Sequence, residues 1–315
     1  MVASSAGGTA WRLTRRPTGF EATQAETAID GGLTLRRVTF DQGLSVVQTV
    51  ARSAPPGLST AGAPLVLPTA GPGGEFAVVS RADAGFTVRL IPADGGDGPV
   101  PAAFDGFPIQ AEAHRSGLWL ITLSPDGGAL LSLDAELREI ARRPLPVAGG
   151  LQGPRLLPLD DSHVGICGAQ TLELLDTSLT QVQRWPLPEG ATALSALSGQ
   201  VTSPTMAWIG PESSLLVGSP DRPRAFRLSS ATAITGLLAA PGLTAVVAQV
   251  SDGPASGPFL ALADGQDRKR GPDLGLTRTG EGSFFAAAGL SIGDGGLSVL
   301  GAGLRDLTRL EVVCE

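Results

Sequence analysis

The 315-residue sequence predicts an all-β chain of seven like units, and three observations carry that prediction. Turn-forming residues recur at a step of 42 positions. Short apolar or alternating runs of strand length flank each turn. Segments that follow those turns also repeat one another: LDAELREIARRPLP (133–146) and LDTSLTQVQRWPLP (175–188) are identical at seven of fourteen positions.

The turns come first. From Asp126-Gly127, steps of 42 residues reach Gly168-Ala169, Gly210-Pro211, Asp252-Gly253 and Asp294-Gly295. Steps in the other direction reach Asp83-Ala84-Gly85 and Asp41-Gln42-Gly43, with one residue of slippage, which makes seven markers. Before them lie runs such as LTLRRVTF (33–40), LWLITL (118–123) and Leu243 to Val250; after them lie FTVRL (86–90), ALLSL (129–133) and LSVL (297–300). Runs of this length bounded by Gly, Pro and Asp read as paired strands joined by turns. For Asp126-Gly127 the sequence suggests the two central residues of a type I′ hairpin, where both need positive φ.

A third strand follows the better-preserved turns, and AELREIAR (135–142) also matches AGLRDLTR (302–309). A fourth precedes them, as in PRLLPL (154–159) and TALSAL (192–197). Four short strands repeated every 40 to 45 residues describe a β-propeller, and seven markers predict seven blades of four antiparallel strands. Residues 21–315 form these units. Residues 1–20 fall outside them, and Trp11 to Phe20 keeps the phase of an outermost strand. It is read either as a strand at ring closure, beside or instead of Arg305 to Cys314, or as a tail.

The periodicity resembles the broad β-propeller repeat class, and the SPDG turn at 124–127 looks like those of PD40 and TolB-like repeats. The WD40 pattern is absent: no Trp is followed by Asp, and neither His follows a Gly. The S-x-D-x-G-x-x-W boxes of sialidase-like propellers are absent too. The resemblance implies a propeller fold and no particular family.

Composition removes whole classes of chemistry. The chain has no Tyr, no Asn, one Lys (Lys269), two His and two Cys (Cys167, Cys314). Tyr, Asn and Lys share AT-rich codons, so a GC-rich coding sequence accounts for the bias. Lys269 sits in DRKRG, not in a phosphate-binding GxxxxGK[ST], and no GxGxxG opens a helix. A sialidase-type Tyr nucleophile, a tyrosine-derived radical cofactor, an Asn-containing calcium site of the lactonase type and a site of three or four His are all excluded by residue supply. A net charge of −7 and a pI near 5.0 argue against nucleic-acid and anionic-membrane partners. The basic pairs Arg15-Arg16, Arg36-Arg37 and Arg142-Arg143, and Arg268-Lys269-Arg270, read as solvated outer surface. Two distant cysteines give no disulfide framework. The N-terminus lacks a signal-peptide pattern, so a cytoplasmic location is expected. Leu228 to Val250 is uncharged, but Pro241-Gly242 interrupts it, so it reads as two buried strands around a turn.

Four candidate sites remain. Gly289-Leu290-Ser291-Ile292-Gly293 fits G-x-S-x-G, but that motif needs a strand-to-helix turn and a downstream His, and neither is present. His114 and His163, with Glu112, Asp160 and Asp161 near in sequence, offer metal binding or acid-base work, yet they differ in blade phase and read as surface-loop histidines. Asp94 and Asp97, in DGGDG, are weak calcium candidates; the loop lacks EF-hand spacing and the distal Glu, which favours a connecting turn. The sequence therefore points to no catalytic set, no cofactor and no metal. The expected role is a non-enzymatic platform that docks protein partners, a subunit of a larger assembly. The alternative is a channel-site hydrolase, lyase or carbohydrate binder that uses Asp, Glu and Arg, which requires carboxylates and arginines to converge at the centre of the ring.

Overall fold

Runs such as LWLITL are apolar at every position because each lies in a strand covered on both faces. In the computed structural model Leu118 and Leu120 face one neighbouring sheet, whereas Trp119 and Ile121 face the other. The structure describes residues 9–27, 32–55, 58, 64–69, 74–82, 85–94, 98, 100–145, 155–167, 171–187, 194–210, 213–219, 222–226, 231–251, 256–264, 274–276, 285–293, 296–303 and 306–312.

These residues form seven antiparallel sheets in chain order. Blade 1 is β1 (Arg12–Arg16), β2 (Gly19–Thr27), β3 (Leu33–Phe40) and β4 (Val46–Ser53). Blade 2 is β5 (Leu65–Pro68), β6 (Gly74–Ala82), β7 (Gly85–Pro92) and β8 (Ala102–Phe104); blade 3 is β9 (Phe107–His114), β10 (Gly117–Ser124), β11 (Gly127–Asp134) and β12 (Glu139–Leu145). Blade 4 is β13 (Leu156–Pro158), β14 (His163–Cys167), β15 (Thr171–Asp176) and β16 (Gln181–Pro186); blade 5 is β17 (Leu194–Gln200), β18 (Ser203–Ile209), β19 (Leu215–Ser219) and β20 (Arg222–Phe226). Blade 6 is β21 (Ala231–Ala240), β22 (Leu243–Val250), β23 (Gly257–Asp264) and β24 (Leu274–Gly275); blade 7 has three strands among the described residues, β25 (Ala287–Gly293), β26 (Gly296–Ala302) and β27 (Leu307–Val312). The first strands lie side by side in a ring, β1 against β5, on through β9, β13, β17 and β21 to β25, and β25 against β1. This is a seven-bladed β-propeller, as the sequence predicts, with six blades of four strands and one of three among the described residues.

Each pair of adjacent blades holds its own apolar core, seven in all. Polar side chains then stitch the inner edges, where the sheets leave backbone groups unpaired. Thr23 Oγ1 donates to Val66 O (2.7 Å), and the Gln110 amide both donates to Leu156 O (2.9 Å) and accepts from Leu156 N (3.0 Å). Ser198 Oγ accepts from Ala239 N (3.0 Å), and Gln249 Nε2 donates to Phe285 O (3.1 Å).

The structure revises three details. First, the hairpin at 124–127 pairs Ser124 with Gly127, so its central residues are Pro125 and Asp126. Proline holds φ near −65°, which forbids type I′; the positive φ (137°) belongs to Gly127, which opens β11. Second, the markers are not equivalent. Gly85, Asp126-Gly127 and Gly210 lie at the passage from a blade's second strand to its third, whereas Asp41 and Gly43 join β3 to the outermost β4. Asp83, Gly168, Asp252, Gly253, Asp294 and Gly295 lie outside the described residues, as does Asp97. First strands begin at 12, 65, 107, 156, 194, 231 and 287, so the spacing runs from 37 to 56 residues and a fixed step drifts across the turns. Connections vary in length at little cost in closure entropy, whereas strands do not. Third, Arg12–Arg16 is the innermost strand of blade 1, not an outermost one, and among the described residues blades 1 and 7 share no strand. Their seam is held by a small core around Trp11, Phe40 and Leu300, by Trp11 N to Gly303 O (3.1 Å), and by Ser291 Oγ donating to Gln42 O.

One recurring turn went unread in the sequence. Asp-x-x-Leu joins the third strand to the fourth at 41–44, 134–137 and 176–179. Its Leu is left-handed each time (φ 59°, 64° and 60°), and the Asp carboxylate accepts the backbone N–H four residues on (2.8, 2.8 and 2.9 Å). A branched side chain at positive φ is costly; the buried leucine and the capped amide offset that cost.

Gly19 (φ 142°) marks where backbone passes closest: a Cβ there would lie 2.1 Å from Phe40 O. Gly242 (φ 78°) has nothing within 4 Å of its virtual Cβ. Gly19→Ala is therefore expected to cost about 2 kcal/mol or more, and Gly242→Ala about 1 kcal/mol. Urea denaturation of both variants checks this; equal losses would contradict the close approach.

Candidate functional site: the arginine-lined channel mouth

The sequence RLTRR supplies the innermost strand of blade 1, so alternate side chains lean to opposite sides of the channel. Arg12 and Arg16 lean toward blades 2 and 3. Arg12 Nη2 donates to Ala111 O (2.7 Å) and pairs with Glu112 Oε1 (3.1 Å), forming a strut from blade 1 to blade 3. Arg16 Nε pairs with Glu21 Oε2 (2.6 Å), and its Nη2 lies 3.4 Å from Pro68 O. Arg15 leans the other way and reaches Ser198 Oγ of blade 5 (3.4 Å). Crowding by protein lowers its pKa, and the Asp160 carboxylate opposes that.

These contacts correct the reading of the basic pairs as outer surface. Arg15 and Arg16 line the channel; Arg37 and Arg52 of blade 1 clamp the buried Glu75 of blade 2 (3.4 and 2.8 Å); and Arg143 of blade 3 pairs with Glu173 of blade 4. Arg36 pairs with Glu26 (2.7 Å) and the exposed Arg142 with Glu139 (2.7 Å). Residues 268–270 lie outside the described residues. Carboxylates and arginines do converge at the ring's centre; Arg12 and Glu112, and Arg16 and Glu21, are engaged with one another, whereas Arg115 and Asp161 are not. Burial pushes the Glu112 carboxyl above its usual range, against the lowering by Arg12 and Gln110.

The histidines separate. His114 closes β9 and is completely buried, not a surface-loop residue. Ser116 N–H donates to its Nδ1 (3.2 Å), so Nδ1 carries no proton. Nε2–H then faces Ser132 Oγ (3.4 Å), which donates to Thr177 O in the blade 4 turn; Trp119 packs on the ring at 4.7 Å. Burial is the main cause that lowers its pKa to about 4, with the Arg16 and Arg115 charges adding to it. His163 opens β14, half-buried, with Nδ1 3.0 Å from Asp160 Oδ1. Among the described residues no three His, Cys, Asp or Glu side chains gather as a metal site. Asp94 lies in an exposed turn after β7. Ser291 sits on a straight inner strand at the seam and not on an elbow. Burial pushes the Cys167 thiol up to about 12, so it stays protonated near neutrality. No helix among the described residues is long and apolar enough to cross a membrane, and 231–250 forms a hairpin around Pro241-Gly242.

Beside the strut the turns from first to second strand of several blades surround a cleft of about 290 Å³. Its charged groups are Arg16, Glu21, Arg115 and Asp161. Phe20, Phe40 and Pro17 form an apolar wall, and Thr18, Thr39 and Thr69 add hydroxyls. The turns are tied directly: Arg115 N donates to Asp161 O (2.7 Å). Sequence reasoning named Arg16 and Asp161 for other reasons and missed Arg115, Glu21 and the wall, because only ring closure brings four blades together there.

With this geometry in hand, likeness to known proteins is informative at the level of fold. No protein-family description matches the chain, and no curated protein sequence is detectably similar. Among solved structures, Kluyveromyces lactis Hsv2 superposes with a TM-score of 0.58 at 11% identity, covering 95% of this chain and 90% of that one. A KlHsv2 form with loop 6CD replaced by a Gly-Ser linker gives 0.60 at 10%, covering 96% and 91%. The β-propeller domain of the Trilobed protease from Pyrococcus furiosus, described as having an open velcro topology, gives 0.54 at 9%, covering 98% and 94%. The chain is a seven-bladed β-propeller.

Two outcomes test the channel. The His114 pKa lies near 4 in the fold and near 6.5 unfolded, so its stabilising share is complete above pH 6.5 and is lost as pH falls toward 4, about 3 kcal/mol in total. Denaturation from pH 7.5 to 4 should show that the drop is smaller by this amount in His114→Gln. Arg12→Met strands the Glu112 carboxylate and should cost about 2 kcal/mol, discounted for partial exposure, with most recovered in Arg12→Met/Glu112→Leu. Additive losses in the double variant would refute the strut.

Proposed function

We propose that the chain is a non-enzymatic interaction platform whose outer rim docks an extended segment of a partner protein. The observation that carries this reading is a repeated one. Val47, Ile140 and Val182 each stand six residues after the aspartate of an Asp-x-x-Leu turn, on the outermost strands β4, β12 and β16. Their relative exposures are 66%, 47% and 38%. An outermost strand presents unpaired backbone donors and acceptors, and on β12 and β16 the exposed apolar side chain is followed two residues on by an arginine, Arg142 and Arg184. A backbone edge with exposed side chains on one face is what strand addition by a partner uses. Ile140 and Val182 stand on adjacent blades.

The channel supports the same reading. Glu21 and Glu112, the carboxylates that hydrolase or lyase chemistry would use, are each held by an arginine. The Arg12–Glu112 pair braces blade 1 against blade 3.

The test is affinity purification from the native host of the parent chain and of Ile140→Ser/Val182→Ser. Exposed substitutions of this kind change stability by only about 0.5 kcal/mol, so the double variant should fold. A stable set of subunits is expected with the parent and a several-fold smaller yield of them with the variant. Recovery of the parent alone, or an unchanged set with the variant, overturns the reading.

A further inference from the structure

We infer that the cleft at the channel mouth is a binding site for a small zwitterion of amino-acid type, a carboxylate and an ammonium borne on an apolar body. This goes beyond rim docking and is independent of it, because the cleft and the outer strands lie at opposite ends of the blades.

The charges of the cleft fall into two sets. Arg16 and Glu21 are paired, and Arg37 adds a second guanidinium 3.8 Å from Glu21. Arg115 and Asp161 are not paired. Arg115 is exposed and its guanidinium has no protein partner among the described residues, and the half-buried Asp161 accepts at Oδ1 only from the neutral Ser162 Oγ (3.0 Å). Here the two turns are clamped by Arg115 N to Asp161 O, yet the side chains remain more than ion-pair distance apart. A free cation and a free anion held apart match a ligand that carries both charges, with its carboxylate toward Arg115 and its ammonium toward Asp161.

The threonines of the lining, Thr18, Thr39 and Thr69, add polar side chains to the same space. The wall of Phe20, Phe40 and Pro17 leaves room for an apolar side chain rather than a second charge. The volume, about 290 Å³, stands at the lower limit of about 300 Å³ for ligand cavities, which suits one amino acid or a dipeptide and not a polymer.

Isothermal titration of the whole chain with L-leucine and L-phenylalanine tests this, alongside their amides, their N-acetyl derivatives and acetate. Binding of at least one free amino acid is expected. Amidation, which removes the carboxylate charge, and acetylation, which removes the ammonium, should each weaken it at least tenfold. Arg115→Met should abolish the penalty for amidation and Asp161→Asn the penalty for acetylation. Both positions lie in turns, both backbone atoms of the clamp remain, and thermal melting confirms that the variants fold. No binding by either amino acid, binding indifferent to amidation and acetylation, or acetate binding as well as the amino acids would each overturn the assignment. Failure here leaves the rim reading intact, because the co-purification assay does not involve the cleft.

Discussion

The whole architecture depends on apolar surface being shared between neighbouring sheets. No blade has a core of its own: Phe76 and Val78 pack toward blade 1 while Ala77 and Val79, alternating with them on β6, pack toward blade 3. Each sheet is therefore stable only when both neighbours are in place, and the chain must close on itself. The weakest place in such a ring is where covalent continuity ends. Blades 1 and 7 meet there through the cluster around Trp11 and Leu300 and, among the described residues, exchange no strand, so side-chain packing and a few hydrogen bonds hold the seam.

Closure also decides the fate of polar groups. Inner strands have an edge that faces no sheet partner, and threonine, serine and glutamine side chains from the next blade cover it. The same crowding forces arginines and carboxylates at the axis to pair, and it buries His114 in a neutral tautomer fixed by a backbone amide. Where two turns are pinned by backbone rather than by side chains, charge remains available, and that is the origin of the cleft. Rim and channel mouth thus play separate parts, one edge-like and apolar, the other concave and charged.

How much of this was legible can be traced residue by residue. Two-sided burial leaves an uninterrupted apolar run, and LWLITL and LTAVVAQV were readable as strands for that reason. Asp126 was readable as a turn, but its type was not, because Pro125 and not Gly127 occupies the tip. Asp41 looked like Asp126 at a multiple of the period and belongs to a different turn, the one that also contains Asp134 and Asp176. That Asp-x-x-Leu signal stood in the sequence, and an αL leucine is too rare to be expected from it.

By itself, then, the sequence determined which segments are strands, how many units they form and which chemistries lack their residues. These follow from local periodicity and composition, which need no knowledge of what packs against what. The tertiary structure alone decided which strand lies at the axis, which arginines are spent on carboxylates, that His114 is buried, and that Arg115 and Asp161 share a cleft. The physical reason is that these depend on contacts between residues tens to hundreds of positions apart, brought together by ring closure and by connections whose lengths obey no period.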